Sequence, residues 1–377
     1  MLVETQQIEI MKKLKVLISG GGSGGHIFPA LAIAKSLESK VSNIEFLFVG
    51  ANNKMEMEKI PNAGYEIIGL WISGFHRRLT FSNLLFPVKL IYSLISSYFI
   101  INKFNPDLVI GTGGFASGPI LYVAAKKKIP TLIQEQNSYA GITNRILSSY
   151  VNKVCVAYDD MQKFFPAEKI ILTGNPIRDN IITSNLVDVS ESKEFEIDKN
   201  KLTVLVIGGS LGAKSINTAI KSKLHLFKEN NLNLIWQTGE SFGPMAQNAI
   251  SELSVYGIKN HVFVKDMHIA YQLCDIIISR AGAIAISEIC CIGKPTILVP
   301  SPNVAENHQY KNAQSLVNKK AALVVNDKDA NDKLVESIIN LYNNKVLQST
   351  LGENIKKMEV KNSANTIANI ALKLLND

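Results

Sequence analysis

Short runs of aliphatic and β-branched residues recur along the chain, each ending in a glycine turn or a polar cluster. In the first half they are LKVLISG from Leu14, IEFLFVG from Ile44, PDLVIGTGG from Pro106, IPTLIQEQN from Ile129, VNKVCVAY from Val151 and KIILTGNP from Lys169. Runs this apolar read as strands buried on both faces, and the helix-length segments between them give the βαβ alternation of a parallel sheet. The rhythm lapses in SNLVDVSESKEFEIDKNK, Ser184–Lys201, which reads as a polar linker. It restarts at Leu202 with LTVLVIGGSLGA, LNLIWQTG, NHVFVKD, CDIIISRAGA, KPTILVPSP and AALVVND. The pattern predicts an α/β chain with two Rossmann-like parallel sheets, one over residues 12–178 and one over 202–353, joined by a linker at 179–201. Helical periodicity from Asn354 to Leu375 predicts a closing helix over 354–377, and residues 1–11 read as a flexible extension.

Composition supports two domains. The chain has 377 residues, and single cores rarely grow beyond about 250–300 residues. Hydrophobic residues make up 46% and charged residues 19%, a balance that excludes a disordered or fibrous class. The formal charge of +8 leaves nucleic acid, an anionic membrane or acidic small substrates as partners. Cys155, Cys274, Cys290 and Cys291 show no metal-ligand or CxxC spacing, so they read as small buried apolar groups in a reducing cytoplasm. The apolar stretch Leu84–Ile101 approaches spanning length, yet Pro87, Lys89 and several serines interrupt it; it is not read as transmembrane.

The first strand runs into GGGSGGHIFPA, a GxGxxG at Gly20, Gly22 and Gly25. Such a turn lets backbone N–H groups and a helix N-terminus face an anion. A dinucleotide site would want a carboxylate at the tip of the second strand, but that strand ends FLFVGANNK; a Walker A loop would want lysine where His26 stands. Similar turns recur at GTGGFASG, GGSLGA and SRAGAIAISE, which together suggest a substrate cleft. His26 falls in the first turn of a helix at the carboxyl edge of the sheet, where a neutral imidazole could accept a proton from a hydroxyl nucleophile. The cluster Gln134, Glu135, Gln136 and Asn137 suits a hydroxyl-rich ligand. Arg178 after the Asn-Pro turn and Ser210 in the second glycine turn could meet phosphate, Glu288 could accept two ribose hydroxyls, and Asn307, His308 and Gln309 follow a strand end.

The ordered set GGGSGGHIFPA, GTGGFASGP, QEQNSYAGITNR, TGNPIR, GGSLGA, SRAGAIAISE and VPSPNVAENHQYKNA closely resembles the MurG glycosyltransferases along nearly the whole chain from Met11. The resemblance implies a GT-B fold with two Rossmann-like domains facing a central cleft, the acceptor in the first and UDP-sugar in the second, and a final helix returning to the first. It implies transfer of N-acetylglucosamine from UDP-N-acetylglucosamine to the C4 hydroxyl of undecaprenyl-diphospho-N-acetylmuramoyl-pentapeptide, with inversion. Under it His26, Glu135 and Asn137 are the catalytic set, His26 preferred as the base and Glu135 second. Ser23, Gly24, Gly25, Asn137, Arg178 and Ser210 are assigned to the donor, as are Ala283, Ile284, Glu288, His308 and Gln309. Gly21, Gly22, Gly113, Gly114, Phe115 and Gln136 are assigned to the acceptor. Ala285 and His308 depart from some relatives, which carry a hydroxyl side chain and a glutamine there.

A lipid-linked acceptor gives the basic, apolar segment from Gly74 to Lys103 a reason. Phe75, Arg77, Arg78, Phe81, Leu84, Leu85 and Phe86 are assigned to an anionic membrane surface, while Ile91, Leu94, Ile95, Tyr98 and Ile101 are expected to face the interior. No DxD marks the donor half, and the DKD at Asp327–Asp329 reads as a solvated turn; no metal or tightly bound cofactor is expected, with a divalent cation as a stimulant only. Expected partners are UDP-N-acetylglucosamine, the undecaprenyl-linked acceptor, the membrane and other cell-wall synthesis enzymes, without nucleic acid, at the cytoplasmic face of the plasma membrane. Two alternatives stay open: a UDP-N-acetylglucosamine 2-epimerase, and a non-catalytic membrane-docked scaffold that binds nucleotide sugar.

Overall fold

A computed structural model describes residues 13–74, 85–177, 181, 194–209 and 211–376. The chain divides into two compact units: residues up to Gln136 with Ala140–Pro176 and everything from Asn362, and Asn137–Tyr139 with Ile177–Lys361.

The first unit holds a seven-stranded parallel sheet of β1 (Leu14–Gly20), β2 (Ile44–Ala51), β3 (Ile67–Leu70), β4 (Leu108–Gly113), β5 (Thr131–Glu135), β6 (Lys153–Val156) and β7 (Ile170–Leu172), in the order β3-β2-β1-β4-β5-β6-β7. β4 and β5 are buried along their whole length, as a sheet covered by helices on both faces requires. β3 is a strand the apolar pattern did not single out, because it is short and only its last residue is buried. The helix Ser363–Lys373 packs Ile367, Ala368 and Ala371 into one apolar cluster with Ile33, Ala34 and Leu37 of the helix Gly24–Glu38, and Ser36 Oγ donates to Asn365 Oδ1 at 2.9 Å.

The second unit repeats the plan with β8 (Thr203–Ile207), β9 (Asn233–Gln237), β10 (Ile258–His261), β11 (Ile276–Ser279), β12 (Thr296–Leu298) and β13 (Leu323–Val324), ordered β10-β9-β8-β11-β12-β13 and all parallel. In both sheets the order reverses beside the first strand, between β1 and β4 and between β8 and β11. Open α/β sheets bind ligands outside the carboxyl ends of the strands at this switch point. The four glycine turns leave those four strands.

Three boundaries differ from the sequence reading. The closing segment is two helices, Lys345–Lys356 and Ser363–Lys373, because Asn362 adopts a left-handed conformation with φ of 57° and restarts the chain. The linker does not stay in solvent to Lys201: Phe195 is fully buried against His261, with ring centroids 5.1 Å apart, and the Asp198 amide donates to Asn233 Oδ1 at 3.1 Å. The NHVFVKD strand lies earlier, at Ile258–His261, with Val262 and Phe263 exposed beyond it.

Candidate functional site

At the switch point of the first sheet, Gly20 pairs with Gly113. The amides expected to cradle the acceptor there are already used. Gly21 N donates to Gly113 O at 3.2 Å, and Gly22 N donates to Glu56 Oε2 at 2.8 Å. Glu56 is fully buried, and its other oxygen accepts from Ala51 N at 2.9 Å. A Cβ on Gly21 would fall 2.1 Å from that carboxylate, so the slot for Glu56 exists only because the position is glycine. The expectation that Gly21 and Gly22 offer amides to a ligand is therefore corrected: a carboxylate from outside the motif consumes one and the neighbouring turn the other. The open positive pole lies at Ser23, Gly24 and Gly25, where the helix Gly24–Glu38 begins and its first amides have no intrahelical acceptor.

His26 is held from one side. Its Nδ1 lies 2.9 Å from Thr112 O and 3.1 Å from Gln136 Oε1. A carbonyl oxygen only accepts, so Nδ1 carries the proton and the lone pair of a neutral ring sits on Nε2. Thr112 Oγ1 donates back to His26 O at 2.9 Å, and Gln136 Nε2 donates to Thr112 O at 2.7 Å. Gly113 makes room for the ring: its φ is +99°, and a Cβ there would stand 2.8 Å from both Cε1 and Nδ1 of His26. Gln136, expected to meet the acceptor, is buried and orients His26 instead. Its Nε2 also donates to Gln134 Oε1, Gln134 Nε2 donates to Asn175 Oδ1 at 2.8 Å, and Asn175 Nδ2 returns to Gln136 O at 3.0 Å. The Asn of the TGNPIR stretch thus serves the histidine's support.

Glu135 ends β5 almost wholly buried, its Oε2 accepting from Gly141 N at 3.0 Å and Asn144 Nδ2 at 2.9 Å. Gly114 follows the turn, and Phe115 lies half-exposed with its ring against Gly74. Asn137 groups with the second unit, where its Oδ1 accepts from Asn312 Nδ2 at 3.1 Å.

In the second unit a cleft of about 890 Å³ opens at the carboxyl ends of the strands. Gly208, Gly209 and Gly212 line it with Ser215, Arg280, Asn303, Gln309 and Asp327. Gln309 is fixed by its Oε1, which accepts from Ser301 N at 2.8 Å; His308 begins the helix His308–Val317. Ala283 and Ile284 open the helix Ala283–Ile292, and Glu288 lies buried one turn on, with Tyr271 Oη donating to its Oε2 at 3.3 Å. The DKD reading is also corrected. Asp327 accepts from Arg280 Nη1 at 2.5 Å and from the Ser215 hydroxyl, so it belongs to the cleft wall rather than to a solvated turn. Its partners lie far away in sequence, which hid the pairing.

Arg178, Ser210, Phe75, Arg77, Arg78, Phe81 and Leu84 lie outside the described residues. Leu85 is half-exposed, and Phe86 starts the helix Phe86–Phe104. That helix departs from expectation at three of the five positions expected inside. Leu94 and Ile101 turn inward, but Ile91, Ile95 and Tyr98 are exposed, together with Val88, Tyr92 and Phe99. Its buried face carries Ser93 and Ser97, small residues that allow close approach; Ser93 Oγ donates to Trp71 O at 3.2 Å.

Comparison with known proteins agrees with this arrangement. Residues 16–156 match the glycosyltransferase family 28 N-terminal domain and residues 203–367 the family 28 C-terminal domain. The chain is 46% identical over 364 residues, covering 97% of it and 98% of the relative, to the UDP-N-acetylglucosamine--N-acetylmuramyl-(pentapeptide) pyrophosphoryl-undecaprenol N-acetylglucosamine transferase of Christiangramia forsetii. It is also 46% identical, over 367 residues, to the protein of the same name from Bacteroides thetaiotaomicron, covering 96% of this chain and 98% of that one. Among solved structures, Acinetobacter baumannii MurG superimposes with a TM-score of 0.77 at 26% identity, covering 96% of this chain and 99% of that one. With both family 28 domains in place and relatives matched along nearly its full length, the chain belongs to the MurG family of N-acetylglucosaminyltransferases.

Proposed function

We propose that the chain transfers N-acetylglucosamine from UDP-N-acetylglucosamine to the C4 hydroxyl of undecaprenyl-diphospho-N-acetylmuramoyl-pentapeptide, lipid I to lipid II, in peptidoglycan synthesis. The observation that carries the mechanism is the His26 imidazole, anchored through Nδ1 on Thr112 O at the switch point of the first sheet. The hydroxyl oxygen attacks C1 of the donor sugar as the bond from C1 to the UDP oxygen breaks. Attack opposite the leaving group inverts the centre, and Nε2 of His26 takes the hydroxyl proton. Glu135, with one oxygen bonded by Gly141 and Asn144, holds the loop after β5 and is the weaker candidate for the base.

On the donor, Glu288 accepts the ribose hydroxyls, Gln309 and His308 meet the sugar, and Ser210 with Arg178 meet the diphosphate. No cofactor takes part. Chelation with EDTA should leave transfer measurable, with added magnesium acting as a stimulant of diphosphate departure.

Among the described residues no helix is long and apolar enough to cross a membrane. The exposed row Val88, Ile91, Tyr92, Ile95, Tyr98 and Phe99 supports docking on a lipid surface, since monomers rarely expose a continuous apolar face without a partner for it. Lysines rim it: Lys127 Nζ lies 4.9 Å from the Tyr98 ring centre, and Lys89 Nζ 5.7 Å from that of Trp71. Such a surface suits anionic lipid. All four cysteines are free thiols, which fits the cytoplasmic face, where other cell-wall synthesis enzymes would be neighbours.

Incubation of the protein with labelled UDP-N-acetylglucosamine, with and without a short-chain lipid acceptor, tests the reaction. Label should move to the lipid only when acceptor is present. Conversion of the donor to its 2-epimer would support the epimerase reading, and binding without turnover the scaffold reading.

A further inference from the structure

Arg280, Ser215 and Asp327 come from three separate places in the second unit. Arg280 directly follows β11, Ser215 lies in the first turn of the helix Lys214–Ser222, and Asp327 opens the short turn after β13. On the cleft wall they form a closed ring of hydrogen bonds. Arg280 Nη1 donates to Asp327 Oδ1 at 2.5 Å, Arg280 Nη2 donates to Ser215 Oγ at 3.0 Å, and Ser215 Oγ donates to Asp327 Oδ1. A second bond from Nη1, to Val299 O at 3.0 Å, ties the guanidinium to the end of β12. The side chains of Arg280 and Asp327 are 16% and 23% exposed, so solvent screens the pair only in part.

An arginine has five N–H donors in one plane. Three of them are engaged by Val299, Asp327 and Ser215, which fixes the plane and leaves two without an acceptor among the described residues. The same cleft is lined by Gly208, Gly209, Leu211, Gly212 and Gln309.

We infer that Asp327 is a positioning residue for the donor: with Ser215 it locks the Arg280 guanidinium so that its remaining N–H groups meet the diphosphate of the nucleotide sugar. The inference rests on the second unit being the donor unit. Two effects of Asp327 oppose one another. Holding a long side chain in its binding geometry removes the rotamer entropy that binding would otherwise cost, while a neighbouring carboxylate offsets part of the arginine's charge. The pair is mostly buried, so the offset is not screened away, and the sign of the change on removing Asp327 tells which effect prevails; preorganisation predicts weaker binding.

The sign can be measured. UDP binding by calorimetry and the KM for each substrate are compared for the parent, Asp327→Asn, Asp327→Ala, Arg280→Ala and the double alanine variant, with thermal melts to establish folding. Losing a charge-assisted bond of this kind should weaken UDP binding and raise the donor KM by about tenfold in Asp327→Ala. The effect should be smaller in Asp327→Asn, whose amide oxygen still accepts from arginine, and the acceptor KM should not move. Once Arg280 is alanine, removing Asp327 should add little, because it acts through the arginine. UDP binding that is unchanged or tighter in Asp327→Ala, or effects that simply add in the double variant, would overturn the inference while the donor reading stands. A parent that binds no UDP would overturn the donor reading and the inference with it.

Discussion

Glu56 accepts the Gly22 amide at 2.8 Å, so a buried carboxylate holds the glycine turn from behind. Its second oxygen accepts from the Ala51 amide, and glutamine can replace only one of these acceptors. Glu56→Gln should leave one buried amide facing an amide NH₂, at about 1–3 kcal/mol. The turn would then shift relative to His26. Steady-state kinetics should show a raised acceptor KM and a lowered kcat, with UDP binding affected less, because Glu288, His308 and Gln309 of the donor set lie in the other unit. A change confined to the donor KM would contradict this role for Glu56.

Gly113 should be as sensitive as His26 itself. Alanine there would hold a Cβ 2.8 Å from the imidazole at a φ of +99° that side chains rarely adopt. Such backbone strain costs about 1–3 kcal/mol. The Gly113→Ala protein should melt lower and transfer more slowly, while the fold measured by circular dichroism persists. Parent-like kcat in Gly113→Ala would show that the ring need not sit where it does.

These two residues also show what could be read from the sequence. The two sheets, the strand-to-glycine turns and the placement of His26 after a strand follow from local pattern, because apolar runs and glycine turns are encoded within a few residues. Glu56 is different. It lies in a charged stretch, KMEMEK, and only the tertiary fold brings it under Gly22. The Arg280–Asp327 pair was hidden for the same reason. The helix Phe86–Phe104 misled in the opposite sense: Ile91, Ile95 and Tyr98 face out, while Ser93 and Ser97 are buried on the inner face with Ile101.

The outer stripe of that helix should matter only at a lipid surface. Ile91→Glu with Phe99→Glu changes two residues that are 60% and 65% exposed, so folding should be preserved. Cosedimentation with vesicles of anionic phospholipid should fall severalfold, and transfer to a short-chain acceptor in solution should match the parent. Unchanged vesicle binding would move the docking surface elsewhere.

His261 should give the protein an acid-sensitive stability. Burial lowers its pKa below the ordinary 6.5; nearby Lys259 lowers it further, Glu196 opposes, and Glu194 lies 4.0 Å from Nδ1. The unfolded chain therefore binds a proton that the folded chain resists. Stability is fully present above the unfolded pKa and is lost as pH falls below it. Thermal melts between about pH 7.5 and 5.5 should show a falling Tm, and His261→Gln should reduce that fall. An equal slope in the variant would assign the acid sensitivity to other groups.

In N-acetylglucosamine transfer, His26 accepts the proton of the attacking hydroxyl. The most direct measurement is the single-turnover rate of label transfer to a lipid acceptor for the parent and for His26→Ala, both saturated with UDP-N-acetylglucosamine. Loss of a positioned base should lower the rate by about 10²- to 10⁴-fold, with UDP affinity and Tm close to the parent's. A His26→Ala protein that transfers as fast as the parent would show that His26 is not the base.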